Sequence, residues 1–199
     1  MKIYFVTQNE RKVSEVKELF KGLEAEMTDV PEICQVDISV NEILSSNIDI
    51  IVKSKVLEAY KIFGLPCVVE HSGLNIEALK GLPGGIGKII WDAVGDRMCG
   101  FLNEQDSRSA IAVSIIAYCD GKKIRQYRGE TRGQIAERKR GDYQFNWDPI
   151  FIPEGSNETY GEMGQMKKFE TSPAIKSWSK FLREEFPHYF NSSKLHSKC

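Results

Sequence analysis

The sequence predicts an α/β fold in which helices flank a central mixed β-sheet. Two observations carry this prediction. Strand-like and helical segments alternate through the first half of the chain, and a hairpin signal follows a long apolar strand in the second half. Alternating strands and helices favour parallel pairing, whereas a hairpin requires antiparallel pairing. One sheet that contains both kinds of pairing accounts for both observations.

The chain opens with a strand, a polar turn and a helix. Residues 2–6 are rich in β-branched and aromatic side chains, which is typical of a strand. Residues 10–20 carry Val13 and Val16 at helical spacing, with acidic residues in the first turn. Gly22 fits the end of that helix.

The same alternation continues to the middle of the chain. Residues 33–40 predict a short strand, and residues 54–63 predict a helix that Gly64 ends. Residues 67–69 are a compact apolar strand that runs into the polar residues 70–73.

A glycine-rich loop separates the two halves. Residues 81–87 (G-L-P-G-G-I-G) hold too much glycine for a regular element. Short helical pieces are expected at residues 89–94 and 98–102, and residues 145–151 form a junction that mixes polar and aromatic side chains.

The second half predicts antiparallel pairing. Residues 109–119 read as a buried strand, and Asp120 with Gly121 is a hairpin turn signal. Residues 123–128 and 131–136 are predicted to continue the meander as two strands. Residues 175–186 have the apolar spacing of an amphipathic C-terminal helix.

Composition bounds the class of protein. The 199 residues include 27 basic and 28 acidic side chains, so the net charge of −1 gives no overall attraction to nucleic acid or to an anionic membrane. No apolar run approaches the ~20 residues of a membrane span. Five cysteines without a C-x-x-C pair suggest reduced thiols. We expect a cytoplasmic protein with one domain over residues 1–190 and a flexible tail at 191–199.

The first candidate site is the opening strand-turn-helix. A helix N-terminus presents free N–H groups and a positive dipole end, which suits phosphate. Thr7 and Asn9 add side-chain donors, and Lys12 lies one helical turn further on. The alternative interpretation is a surface cap, with Asn9 as the N-cap and Lys12 in solvent.

The second candidate site follows the buried strand at residues 67–69. Polar side chains at the carboxyl edge of a strand are a usual ligand position in open α/β sheets. Glu70 and His71 stand there, and Glu42 is a separate acid that could join them. Carboxylates in such a place suggest Mg²⁺ with phosphate oxygens. Solvation of a strand end is the plainer alternative.

The third candidate site is the aromatic junction. Phe145 and Trp147 could sandwich a flat ring such as a purine, and Asp148 could bond its edge. The alternative is an aromatic pair in the core at a turn. Lys168, next to Lys167, is a weaker signal, because lysine pairs are usually solvated.

Taken together, these segments resemble the inosine triphosphate pyrophosphatase family, in the same order and over residues 3–186. Each block is weak alone, but six in order are specific. The matching blocks are T-x-N-x-x-K-x-x-E at residues 7–15, V-V-E-H-S-G-L at 68–74, G-L-P-G at 81–84 with Lys88, R-G-E-T at 128–131, F-N-W-D-P-I-F at 145–151, and Glu162-Met163 with Lys168.

The resemblance implies an elongated, two-lobed α/β homodimer with a ligand cleft. It implies Mg²⁺-dependent hydrolysis of ITP, dITP or XTP to monophosphate and pyrophosphate, with Mn²⁺ as a substitute metal. By matching, Thr7, Asn9 and Lys12 would hold the triphosphate, Lys88 and Lys168 would contact phosphates, Glu42 and Glu70 would bind metal, and Phe145, Trp147, Asp148 and Ser172 would bind the base.

The sequence departs from the family pattern at two places. The family's second acid in E-D-S-G-L is here His71, a poorer Mg²⁺ ligand than a carboxylate, although a histidine can still act as a general base. The family's base-reading S-H-R segment is here Ser172-Pro173-Ala174, which loses two donors. The phosphate end of the pattern is kept, while the catalytic and base-reading ends are changed.

These departures lead to two hypotheses. The first, which we favour from the sequence, is a nucleotide sensor that binds deaminated purine triphosphates with weak or no hydrolysis and signals to a protein effector, for example in antiviral defence. The second is an active, Mg²⁺-dependent pyrophosphohydrolase that removes ITP, dITP and XTP. His71 is the residue on which the two hypotheses differ most.

Overall fold

A computed structural model describes residues 1–141 and 146–190, and within them the chain forms a mixed sheet flanked by helices. The strands are β1 (Lys2–Val6), β2 (Glu32–Val36), β3 (Cys67–Ile76), β4 (Pro83–Gly84), β5 (Ser109–Cys119), β6 (Ile124–Ile135) and β7 (Phe151–Pro153). The helices are α1 (Glu10–Leu23), α2 (Ile48–Phe63), α3 (Gly87–Val94), α4 (Tyr160–Thr171) and α5 (Pro173–Glu185).

The sheet combines parallel and antiparallel pairing, as the sequence predicts. In the described residues the order is β2-β1-β3-β5-β6-β7, with β4 paired to the outer part of β3. β1 is parallel to both β2 and β3, whereas β5, β6 and β7 follow as an antiparallel meander. The helical crossovers supply the parallel half and the turn after Cys119 supplies the hairpin.

Helices cover both faces of the sheet. On one face α1 and α5 bury a cluster of aromatic residues in which Trp178 packs edge-on against Phe5 and Phe181. On the other face α2 lays Val52 and Val56 against the centre of β3 and β5. A third cluster joins α3 and α4 to the far end of the sheet. The site described below lies where these packing regions meet.

The structure corrects the prediction of two strands between residues 123 and 136. β6 is one continuous strand that pairs with β5 from Ile124 to Gln134. Gly129 suggests an interruption in the sequence, but its role is packing. A Cβ at this position would overlap the carbonyl of Pro173 at the start of α5. The glycine therefore lets the helix approach the sheet.

Several boundaries also differ from the prediction. α2 begins at Ile48, because Asn47 caps it through hydrogen bonds from the backbone of Asp49 and Ile50. β2 ends at Val36, four residues earlier than predicted. α4 was not predicted, since Gly164 interrupts it with a left-handed φ of 68°. No helix in the described part of the chain is long and apolar enough to cross a bilayer.

Candidate active site

The carboxyl end of β1 and the middle of β3 border a cavity of about 790 Å³, which lies in the usual size range for a small-molecule site. The loop after β2, the start of α2 and the segment around β4 close its other sides. The cavity brings together most of the residues predicted for phosphate and metal. These are Thr7, Asn9, Lys12, Glu42, Glu70, His71 and Lys88.

A gap in the pairing of β3 explains why the cavity forms here. β1 pairs with β3 at Val68, and β4 pairs with β3 only from Leu74 to Asn75. Glu70 and His71 lie between these two neighbours. The prediction that they stand at the end of a strand is therefore wrong, because β3 runs on to Ile76. They stand instead beside the point where the shorter β1 ends.

The start of α1 is capped in the way the plainer alternative predicts. Asn9 Oδ1 accepts hydrogen bonds from the backbone of Arg11 at 3.1 Å and Lys12 at 3.3 Å, and Thr7 Oγ1 accepts one from the backbone of Asn9 at 3.1 Å. The Lys12 side chain, however, is not solvated. It is only 14% exposed and its Nζ lies 3.4 Å from Glu70 Oε1.

Glu70 is a buried carboxylate with several donors around it. Its Oε1 accepts hydrogen bonds from Ser72 and Ser114, both at 3.1 Å, and its Oε2 accepts one from Trp178 Nε1 at 3.3 Å. Burial alone raises the pKa of Glu70, but the Lys12 charge and these hydrogen bonds outweigh it and hold the pKa below the ordinary value. Glu70 is thus held ionised and fixed in position.

His71 points to a different environment. Its Nε2 lies 2.8 Å from the carbonyl oxygen of Gly85, and its Nδ1 lies 3.7 Å from Glu42 Oε2. Burial lowers the pKa of His71 below its ordinary value, and the charges of Lys12 and Lys55 act in the same direction. The imidazole is therefore neutral near pH 7.

Glu70 and His71 face opposite sides of the sheet, because successive side chains of a strand alternate. Glu70 contacts α1 and α5, whereas His71 contacts the loop before α2 and the segment after β4. No group of three or more histidine, cysteine or acidic side chains placed to hold a metal occurs among residues 1–141 and 146–190. Because of this alternation, Glu42 contacts His71, whereas Glu70 contacts Lys12.

The donor set nevertheless suits a divalent cation that keeps other ligands. Glu42 and His71 present an oxygen and a nitrogen to the same cavity. Cations of this class are often held by one or two protein carboxylates, with water and phosphate oxygens completing the shell. An ammonium group now pairs with each carboxylate, Lys55 with Glu42 and Lys12 with Glu70.

Lys55 is the site residue that the sequence analysis missed. It lies on α2, is largely buried, and donates a hydrogen bond to Glu42. Burial lowers the pKa of Lys55, and the nearby charge of Lys12 acts in the same direction. In the sequence it looks like an ordinary helix lysine. Only the packing of α2 against β3 places it at the cavity.

A second, much smaller cavity of about 30 Å³ adjoins the first, and Lys12, Glu70 and Ser72 line both. Its wall includes the remaining predicted residues that the structure describes, together with the two departures from the S-H-R segment. These are Trp147, Asp148, Lys168, Ser172, Pro173 and Ala174. Phe145 lies outside the described residues.

A buried ion pair dominates this smaller cavity. Lys168 Nζ lies 2.7 Å from Asp148 Oδ2 and also sits over the ring of Tyr160. Burial raises the pKa of Asp148 to about 6, although the Lys168 charge opposes the rise. The structure therefore places Lys168 beside Asp148 and away from Lys88. Lys88 is 69% exposed at the rim and pairs with Asp92.

The sequence matches the Ham1 family over residues 3–184. The chain belongs to the Ham1 family. Curated relatives agree with this assignment and with the resemblance found in the motifs. The chain is 35% identical to the dITP/XTP pyrophosphatase of Methanopyrus kandleri over 185 residues, which cover 91% of this chain and 94% of the relative. It is 37% identical to the inosine triphosphate pyrophosphatase of Aspergillus fumigatus, over 90% of this chain and 92% of the relative.

Solved Ham1 structures share the fold. A HAM1 protein from Coxiella burnetii superposes with a TM-score of 0.73 at 25% identity, over 92% of this chain and 99% of that one. The Ham1 protein of Staphylococcus aureus superposes with a TM-score of 0.76 at 22% identity, over 93% and 100%. The mixed sheet flanked by helices is thus the Ham1 fold.

Proposed function

We propose that this chain hydrolyses deaminated purine nucleoside triphosphates of the ITP, dITP and XTP type to the monophosphate and pyrophosphate. The single observation that carries the proposal is the pair of adjoining cavities. The larger one holds Lys12 and Lys55 beside carboxylates, and the smaller one is walled by Trp147 and a buried ion pair. The names of the relatives favour this activity over the sensor hypothesis.

The two cavities suit different parts of the ligand. A triphosphate suits the larger cavity, because Lys12 and Lys55 supply positive charge and α1 points its N-terminus into it. A purine suits the side of Trp147, where Asp148 and Lys168 offer an acceptor and a donor at the wall. The smaller cavity must widen to admit a base, since about 30 Å³ is the space of a single water molecule.

In this proposal each ammonium group pairs with a carboxylate in the ligand-free protein and with phosphate oxygens in the complex. In the ligand-free protein Lys12 pairs with Glu70 and Lys55 pairs with Glu42. When a triphosphate enters, its oxygens can take over these ammonium groups. Glu70 keeps its hydrogen bonds from Ser72, Ser114 and Trp178, whereas Glu42 is left without its partner. A divalent cation is the natural replacement, because an unpaired carboxylate in a closed site is costly.

We propose a divalent cation, Mg²⁺ or Mn²⁺, as the metal of the reaction. Glu42 and His71 would hold it on one face of the sheet, with Glu70 close to the bound phosphates on the other. A bound divalent cation polarises phosphate oxygens and lowers the pKa of a bound water. His71 has two open roles, metal ligand through Nδ1 or base that takes a proton from the attacking water.

The test is pyrophosphate release from ITP, dITP and XTP with Mg²⁺ or Mn²⁺, with ATP and GTP as comparison substrates. We expect turnover on the order of one per second with the deaminated purines, within the usual enzyme range. Detection of pyrophosphate, as opposed to orthophosphate, establishes which bond breaks. Absence of pyrophosphate from every substrate and metal would overturn the proposal.

The presence of a histidine at position 71 favours the second candidate, a nucleotide sensor. It places an imidazole where the family pattern has an acid. Calorimetric binding of dITP without turnover would support the sensor, and co-purification of a second protein would support its proposed effector partner. Turnover with bound metal would remove it.

We also propose a cytoplasmic homodimer. The resemblance to the family is the support for both statements. Analytical ultracentrifugation of the full chain tests the dimer. A sedimentation coefficient for a 22.6 kDa particle at all concentrations would contradict it.

A further inference from the structure

We propose that His71 Nδ1 and a Glu42 carboxylate oxygen form a mixed nitrogen–oxygen site that prefers a first-row transition cation, such as Mn²⁺, Co²⁺ or Zn²⁺, to Mg²⁺. The proposal deepens the function above by naming the metal class of the same cavity. It rests on that function only for the reaction that the metal serves. Binding of the metal can be measured without turnover.

The orientation of the imidazole is the first argument. A carbonyl oxygen only accepts hydrogen bonds, so the 2.8 Å contact with Gly85 requires the proton to be on Nε2. In a neutral ring with that proton the lone pair is on Nδ1, which faces Glu42. Metal-bound histidines usually donate their other ring N–H to a carbonyl or carboxylate, which fixes the tautomer and the ring plane. His71 has that arrangement in place.

Distance is the second argument. Nδ1 and Glu42 Oε2 are 3.7 Å apart. Two ligands that each bind one cation at about 2.1 Å can be separated by up to about 4.2 Å. One cation therefore spans the two atoms without movement of the backbone, and the remaining positions stay open to water and phosphate oxygens.

Ligand chemistry is the third argument and gives the preference. Mg²⁺ favours oxygen ligands and strict octahedral geometry, whereas imidazole nitrogen suits transition cations. Glu70 cannot restore an all-oxygen pair with Glu42, because it faces the other side of β3 and is held by Trp178 and Ser114. Entry of the cation requires Lys55 to give up its contact with Glu42.

The decisive experiment observes His71 directly. The chain has three histidines, so His188→Ala with His196→Ala leaves His71 as the only one. In this background, ¹⁵N spectra of labelled histidine should show a neutral ring with its proton on Nε2. Titration with Zn²⁺ should shift the Nδ1 resonance far more than the Nε2 resonance, and Mg²⁺ at the same concentration should leave both in place.

Affinities measured by calorimetry in the same background complete the test. His71→Asp should weaken Mn²⁺ or Co²⁺ binding by about tenfold or more, as expected for the loss of a nitrogen ligand, and should strengthen Mg²⁺ binding. Glu42→Gln should weaken the binding of every cation. A matched control is Glu58→Gln, which removes an acid on the surface of α2.

Three results would overturn the proposal. They are a proton on Nδ1, a Zn²⁺ titration that leaves His71 unshifted, and equal ratios of Mn²⁺ to Mg²⁺ affinity in the background and in His71→Asp. A base role for His71 predicts the second of these together with retained turnover. If pyrophosphate release is absent but Zn²⁺ still shifts Nδ1, the metal inference stands and the proposed function fails.

Discussion

The two faces of β3 make different use of adjacent residues. On one face Glu70 is enclosed by α1 and α5, with its charge and both oxygens satisfied by Lys12, Trp178 and serine hydroxyls. On the other face the largely buried His71 borders the cavity, near Glu42 and Lys55. One face holds a fixed charge and the other holds groups that can exchange partners. The comparison teaches that a strand can carry a structural and a reactive site side by side.

The largest effect should come from Lys12→Ala. The substitution removes the proposed phosphate-binding cation and leaves the buried Glu70 without its ion partner. We expect pyrophosphate release to fall by about 100-fold or more, since one lost charge-stabilising donor commonly has that effect. Lys17→Ala, an exposed position on the same helix, is the control and should retain activity. Equal losses for both variants would show that the effect does not depend on the contact between Lys12 and Glu70.

The second largest effect should be on the free energy of unfolding. Glu70→Gln should lower the free energy of unfolding at pH 7 by about 3 kcal/mol, because a buried charge network loses one partner. Because the folded pKa of Glu70 is lowered, its contribution is present above about pH 4.5 and is lost as pH falls through the folded value. Urea unfolding should therefore show the difference between wild type and variant shrinking below pH 4.5. A constant difference down to pH 3 would contradict the assignment of a fixed charge.

A smaller effect, opposite in sign for the cation and the triphosphate affinities, is expected on the His71 face of β3. Lys55→Met keeps the length of the side chain but removes the charge that pairs with Glu42. Binding of Mn²⁺ should strengthen by about tenfold, and binding of a non-hydrolysable triphosphate should weaken by a similar factor. Calorimetry measures both. Lys53→Met, exposed on the same helix, should change neither affinity. Effects of the same sign on cation and triphosphate would show that Lys55 does not compete with the metal.

The smallest effect should follow Lys88→Ala. Lys88 lies at the rim, is 69% exposed and pairs with Asp92. Exposed pairs contribute little, so triphosphate affinity should fall by less than about fivefold and stability should hardly change. A loss near that of Lys12→Ala would mean that the rim closes over the ligand and buries Lys88.

Local patterns were sufficient to predict much of the fold. β1 and β5 match their predicted bounds, since each is a compact apolar run next to a strong turn signal. The mixed sheet follows from the alternation of elements and the hairpin. β6 was predicted as two strands and α4 was not predicted. Gly129 lies inside the continuous β6, where it allows close packing, and Gly164 interrupts α4 without ending it.

Motif order was sufficient to indicate the family and to name several polar and charged residues that line the larger cavity. It could not separate Lys168 from Lys88, because only the fold shows that one is buried beside Asp148 and the other is exposed. It also could not find Lys55, whose spacing on α2 resembles that of any solvated lysine.

The sequence by itself determined the alternation of elements, the family and the residue types at the site, because these depend on local propensity and on the order of motifs. Only the tertiary structure decided which charges pair, which tautomer His71 adopts and on which side of β3 each group lies. The physical reason is that pairing and protonation depend on distance and burial. Those quantities arise when β1 ends beside β3 and the helices close over both faces.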